Sequence, residues 1–250
     1  MLHQEFYYVS PQAVGSHSLR INGAEFRHLV HVTRKRVGDS ATATDGVGNT
    51  YLFQISKITD AYADASIVKK RRRQGEPLFQ LTLAQAVLKG KRFEQVIEKG
   101  TEIGVTRFIP MLTKRTLVIE NDHKLNRWQR VAMAAMKQSC RSILPEITPV
   151  QKIEQIIANS LKLELKLIAH NGARVHPLSK IFSKHFAMRN EHYLKSGILL
   201  IGPEGGLTLD EIEKAQQNDF HLFSMGLRRL RAETAGIVGS ALLLAKLGEL

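Results

Sequence analysis

The chain has 250 residues, 43% of them hydrophobic and 24% charged, with a formal net charge of +13 and one cysteine. That composition excludes a disordered tail and a disulfide-stapled secreted module. With no apolar run near the roughly 20 residues of a span, it also excludes a helical membrane protein. The N-terminus lacks the basic and apolar regions of a secretion signal, and a lone Cys140 fits a reducing compartment. A cytoplasmic protein with a polyanionic partner is therefore expected.

Residues 5–9 and 18–21 read as short strands, and 23–33 as a short helix with Phe26, Leu29 and Val30 on one face. Gly38-Asp39 and the turn at 45–49 punctuate further strands over 50–58 and 62–68. This is the pattern of a small, mostly antiparallel β module with one helix. Arg27, His28, His31, Arg34, Lys35 and Arg36 lie on or just after that helix. They form either a solvated charged face or a surface that contacts phosphates. The run Lys69-Lys70-Arg71-Arg72-Arg73 is expected to be an exposed connector, because like charges resist packing, or else a strap that faces RNA. It sets the domain boundary, with residues 1–73 in one domain and 74–250 in the other.

From residue 78 apolar strands alternate with amphipathic helices. A strand over 81–88 precedes a helix over 93–103 that Gly104 stops, and a strand follows over 105–112. Trp128, Val131, Ala132, Ala135, Met136 and Ser139 form the core face of the next helix, and Cys140 reads as a small helix side chain rather than a nucleophile. A helix over 153–161 and a strand over 165–170 lead into a poorly patterned segment, 171–196. A strand over 197–201, a capping box at Thr208 and Glu211, a strand over 220–224 and an apolar helix over 232–247 complete the series. Such alternation means a largely parallel sheet with helices on both faces.

Residues 198–206, Ile-Leu-Leu-Ile-Gly-Pro-Glu-Gly-Gly, are an apolar strand that ends in a glycine turn. Met225-Gly226-Leu227-Arg228-Arg229-Leu230-Arg231 then opens the last helix. Two glycine-bearing strand ends in succession point to a pocket at the carboxyl edge of the sheet, although tight strand–helix packing alone would also use such a turn. The turn matches no phosphate-binding loop, and Glu204 within it would repel a phosphate. With no metal-ligand cluster nearby, an uncharged or cationic ligand fits better. Arg228, Arg229 and Arg231 surround Leu230, so at least one guanidinium is expected at the pocket, to hold a phosphate or stabilise an oxyanion. A methyl donor with a sulfonium centre, working on nucleic acid, suits both loops.

These stretches resemble the signature of the knotted SPOUT methyltransferases. Within them, the chain is similar to the bacterial family that methylates N3 of a uridine in small-subunit ribosomal RNA. The resemblance is carried by residues 99–105 (Lys-Gly-Thr-Glu-Ile-Gly-Val), Arg127-Trp128, Gln138-Ser139-Cys140-Arg141, residues 144–147, residues 201–206 and Leu230-Arg231-Ala232-Glu233-Thr234-Ala235. Residues 28–34, Gly38-Asp39 and Asp45-Gly46 resemble that family's PUA-like domain. Ala134 and Lys137 depart from it, standing on a helix where acids are usual.

The resemblance implies an α/β fold with a deep C-terminal trefoil knot, a mostly parallel sheet and a small PUA-like β-barrel domain in front. It implies a homodimer packed through the knot. S-adenosylmethionine would be held by Leu199, Ile201, Gly202, Pro203, Gly206, Met225, Gly226, Leu227, Leu230 and Ala232, with no metal. Arg231 would stabilise the uracil anion, and Glu233 or Glu204 would accept the proton or orient the arginine. The partner implied is small-subunit ribosomal RNA, within the assembled subunit, contacted by Arg27, His28, Arg34, Arg36, Arg72, Arg115 and Arg141. Two other readings stand beside this one: a non-catalytic RNA-binding protein, and a SPOUT methyltransferase acting on tRNA or on a ribose 2′-hydroxyl.

Overall fold

A computed structural model describes residues 5–116, 123–171, 175–185 and 194–250. The chain divides into two compact units, one comprising the residues up to Glu76 with Met133–Leu144, the other Pro77–Ala132 with Pro145–Leu250. Among the described residues no helix is long and apolar enough to cross a membrane.

The first unit holds strands β1 (Tyr7–Tyr8), β2 (Ser18–Asn22), β3 (Ser40–Thr44), β4 (Asn49–Ile58) and β5 (Tyr62–Arg72) in one sheet, ordered β1-β3-β4-β5-β2. Every neighbouring pair is antiparallel except β1 with β3. Period-two alternation sets the buried face: Tyr51, Phe53 and Ile55 of β4 point into the core, while Leu52, Gln54 and Ser56 face water. Helix α1 (Gly23–Arg27) continues as one widened π turn over His28–Val32, which seats Phe26 and Leu29 in that core.

Three expectations change in this unit. Lys69, Lys70, Arg71 and Arg72 belong to β5 and pair with residues 49–52 of β4, so the basic run is a strand and not a connector. The ladder uses only backbone groups, and all four side chains stay exposed, so their mutual repulsion is relieved by water. Cys140 is not a helix residue. Helix α3 (His123–Gln138) has ended, and Cys140 takes a left-handed φ of 58° in the turn that follows. Arg141, expected on RNA, is buried against Glu76, whose carboxylate also accepts from the Ser142 and Ile143 amides at 2.7 and 2.8 Å. The departure at Lys137 is matched locally, since its Nζ lies 2.6 Å from Glu25 Oε1.

The second unit is built on a parallel sheet of seven strands, β6 (Gln80–Ala86), β7 (Arg107–Leu112), β8 (Glu146–Ile147), β9 (Gln151–Lys152), β10 (Leu165–Ala169), β11 (Ser196–Ile201) and β12 (His221–Phe223). The order is β12-β10-β11-β6-β7-β8, with β9 also on β7, and every pair is parallel. Helices α4 (Ile153–Asn159) and α6 (Leu209–Gln216) cover the face that carries Ile168, Ile198 and Leu200. Helices α2 (Arg92–Ile103) and α7 (Ala232–Lys246) pack on each other, and α7 meets β6 and β11. Gly104 ends α2 at a φ of 108°, as its position after the last apolar residue predicted. The poorly patterned segment contains a further helix, α5 (Leu178–His185); residues 172–174 and 186–193 of that segment lie outside the described ones.

Candidate active site

The sheet order decides where the site falls. After β10 and β11 the chain returns to place β12 on the far side of β10, so three successive strand ends stand together. Ile168 registers with Leu200, and Ala169 with Phe223. The segments leaving those ends enclose a cavity of about 620 Å³. His170 and Asn171 follow β10, residues 201–207 follow β11, and Met225, Leu227, residues 229–232 and Ala235 follow β12 into α7.

Each wall has a local cause. Gly206 turns with a φ of 71°, and its amide closes the turn on the Pro203 carbonyl at 2.8 Å. Gly202 lies so close to the returning chain that a Cβ would come within 3.1 Å of Leu207 Cγ and 3.2 Å of the Leu207 nitrogen. Thr208 then starts α6 as predicted: its Oγ1 accepts from the Glu211 amide, and Glu211 Oε2 accepts from the Thr208 amide at 2.7 Å. The buried Glu211 carboxylate also accepts from the Lys114 amide at 2.8 Å, which ties the residues after β7 to the turn. On the other wall, Ser224 Oγ accepts from the Gly226 amide at 3.1 Å and shapes the bend before the arginines.

Of the sequence-predicted residues, Ile201, Gly202, Pro203, Glu204, Gly206, Met225, Leu227, Leu230, Arg231 and Ala232 line the cavity. Leu199 does not. It is fully buried two strand positions behind Ile201, packed where helix α7 passes at Gly239. Gly226 is exposed between two lining residues and is not itself part of the lining. Glu233 also lies outside the lining: its Oε2 is buried, accepts no hydrogen bond, and stands 4.0 Å from Arg92 Nη1.

Arg27, Arg34, Arg36 and Arg72 are exposed on the first unit, and His28 is half-buried beside the Tyr7 ring. Arg115 belongs to the second unit and donates to the Gly205 carbonyl at 2.7 Å. Sequence reasoning missed His170, Asn171, Ala235 and Arg92. The first two follow a strand the pattern did predict, so the strand-end rule would have found them. Nothing local marks Arg92, whose importance comes from a fold that brings it to Glu204 at 2.6 Å.

Two family profiles match the chain, one described as an RNA methyltransferase domain over residues 74–244 and one as an RNA methyltransferase PUA domain over residues 21–68. Ribosomal RNA small subunit methyltransferase E of Synechocystis is 31% identical over 233 residues, covering 93% of this chain and 75% of the relative. The crystal structure of the enzyme of that name from Neisseria gonorrhoeae, bound to S-adenosyl methionine, superposes with a TM-score of 0.82. It is 25% identical, and the match covers 98% of both chains. A probable rRNA methyltransferase from Porphyromonas gingivalis superposes with a TM-score of 0.83 at 26% identity, over 98% of this chain and 99% of the other. The fold is the α/β knot expected from the sequence, with a PUA-like module in front of it. By profile, by sequence and by structure, the chain belongs to the ribosomal RNA small subunit methyltransferase E family.

Proposed function

We propose that this protein uses S-adenosylmethionine to methylate N3 of a specific uridine in small-subunit ribosomal RNA. The observation that carries the reading is the cavity itself, closed by two glycine-bearing turns and opening beside Arg231. Its volume of about 620 Å³ falls in the range of small-molecule sites. Its character fits the donor. Ile201, Met225, Leu230 and Ala232 offer apolar walls to a purine, and the glycines let peptide groups approach it. Glu204 offers negative charge towards a sulfonium.

The donor supplies an electrophilic methyl group; everything else falls to the chain. Uracil N3 is a poor nucleophile until its proton leaves. Arg231, exposed at the cavity, would face the uracil oxygens and stabilise the anion. The proton goes to a carboxylate; we assign Glu233, which stands just behind the cavity wall with Oε2 accepting no hydrogen bond and 4.0 Å from Arg92 Nη1, because Arg92 holds Glu204 closer, at 2.6 Å. Holding N3 in line with the methyl group supplies much of the remaining rate.

RNA recognition on the first unit is supported by the exposed Arg27, Arg34, Arg36 and Arg72. A homodimer through the knot is supported by Val238 and Leu242, apolar, exposed and one turn apart on α7, and by the fully exposed Leu227. In this reading the substrate is the assembled subunit and the reaction is cytoplasmic. The test is methylation of small subunits and of naked ribosomal RNA, followed by nucleoside mass spectrometry. The expected product is 3-methyluridine, formed best on the subunit; a ribose-methylated nucleoside, or no product, would overturn the reading.

A further inference from the structure

Three guanidinium groups from separate segments converge on two adjacent residues of the glycine turn. Arg92, at the start of α2, places Nη1 2.6 Å from Glu204 Oε1. Arg229 donates from Nη2 to the Glu204 carbonyl at 2.9 Å, and Arg115 donates from Nη1 to the Gly205 carbonyl at 2.7 Å. Their chemistry is unequal. Arg92 has a carboxylate partner in Glu204. Arg115 and Arg229 form no ion pair among the described residues, and each is held by a neutral carbonyl.

A guanidinium carries five N–H donors in a rigid fork, and a single bond to a carbonyl leaves most of them unused. Both side chains are exposed, yet each is fixed to the same turn. Two uncompensated, oriented positive charges therefore stand at the rim of the cavity. Such a pair selects an anion with several oxygens, which a fork can engage bidentately.

Two anions have that form here, an RNA phosphodiester and the carboxylate of the methyl donor. The position of Arg115 favours the phosphodiester. Arg115 does not line the cavity; its Cδ would lie 3.5 Å from a Cβ on Gly205, so its stem packs along the turn. A base that enters the cavity leaves its backbone outside, at the rim.

We infer that Arg115 and Arg229, with Arg92 paired to Glu204 between them, form a phosphodiester subsite that anchors the RNA backbone while the target base stands at the mouth of the cavity, beside the donor. This rests on the methyltransferase reading above, and it assigns to the rim a task distinct from that of Arg231.

The test compares salt dependence of binding to a short single-stranded oligouridylate with calorimetric affinity for S-adenosylmethionine. With Arg115→Gln and Arg229→Gln together, the slope of log affinity against log salt should fall by about 0.7, the value for one phosphate contact on a single strand. Affinity for the oligonucleotide should fall about tenfold, while Arg115→Gln alone, outside the cavity lining, should leave donor affinity at the wild-type value. The pair Arg115→Lys and Arg229→Lys should restore the slope, because it restores charge. Replacing one phosphate by a neutral methylphosphonate should cost wild type the same tenfold and the glutamine pair nothing more.

An unchanged slope in the glutamine pair overturns the subsite, and lost donor affinity with an intact slope reassigns the arginines to the donor's carboxylate. A wild-type protein that makes no 3-methyluridine overturns the underlying reading instead.

Discussion

Arg141 and Glu76, 65 residues apart in sequence, form an ion pair that water barely reaches: Nη2 lies 2.8 Å from Oε2, and the two side chains are 2% and 1% exposed. The same carboxylate accepts two backbone amides, so its charge is matched on several sides. Removing the arginine leaves a buried carboxylate with only those neutral donors to match its charge. Arg141→Ala should therefore destabilise the protein by about 3–5 kcal/mol, read as a lowered urea midpoint. The salt slope of RNA binding should not change, since this arginine has no access to phosphate.

Arg231→Ala should lose methylation while keeping most donor affinity. Removing one preorganised donor from a developing oxyanion costs about 100- to 1000-fold in rate. Single-turnover methylation measured beside a calorimetric titration separates the two quantities. Wild-type rates in this variant would remove the role given to Arg231.

The two carboxylates near Arg92 should differ. Glu233→Gln should slow the chemical step by about 100-fold or more, as expected for loss of a proton acceptor. Glu204→Gln, which leaves the proposed acceptor in place, should slow it less and mainly weaken donor binding. The split between kcat and donor affinity in the two variants is the deciding measurement.

Gly100 sets helix propensity against packing. An alanine in a helix interior is favoured over glycine by about 1 kcal/mol. Here the new Cβ would lie 2.7 Å from Phe108 Cε1, in a site with no exposure. Overpacking of this kind costs about 1–3 kcal/mol, so Gly100→Ala should be destabilising overall in a denaturant melt.

Acid should loosen the first unit through Asp45. Burial would raise its carboxyl, but hydrogen bonds from Asn49 Nδ2, the Asn49 and Val47 amides and the Tyr51 hydroxyl outweigh it and hold the carboxyl below the usual range. A carboxyl depressed in the folded state adds stability above its unfolded value, near 3.9, that is lost as pH falls through the lower folded one. Asp45→Asn should weaken the protein at neutral pH and flatten the decline below about pH 4, as followed by melts across that range.

The order of strands and helices was legible because period and glycine placement mark them locally: the alternation in β4, the stop at Gly104 and the box at Thr208. The two cavity turns were legible for the same reason. What escaped depends on partners remote in sequence. Arg141 looks like any surface arginine until Glu76 is placed beside it. The basic run looks like a linker until β4 supplies its ladder. Arg92 carries no motif, and its meeting with Glu204 spans more than a hundred residues. Leu199 shows the converse limit: it shares a face of β11 with Ile201, but only the strand's end reaches the cavity, and α7 covers Leu199 at Gly239.

The pairing of β6 with β11 has a consequence for synthesis. Residues 80–86 find one neighbour soon, at residues 107–111, and the other only at residues 196–201, and the cavity is complete only once Ala235 is in place. A growing chain thus leaves one edge of β6, whose Leu81, Leu83, Ala84 and Ala86 become buried, unpaired until β11 is made, and until then there is no donor site. The donor site therefore closes late, when the segment after β12 reaches those after β10 and β11.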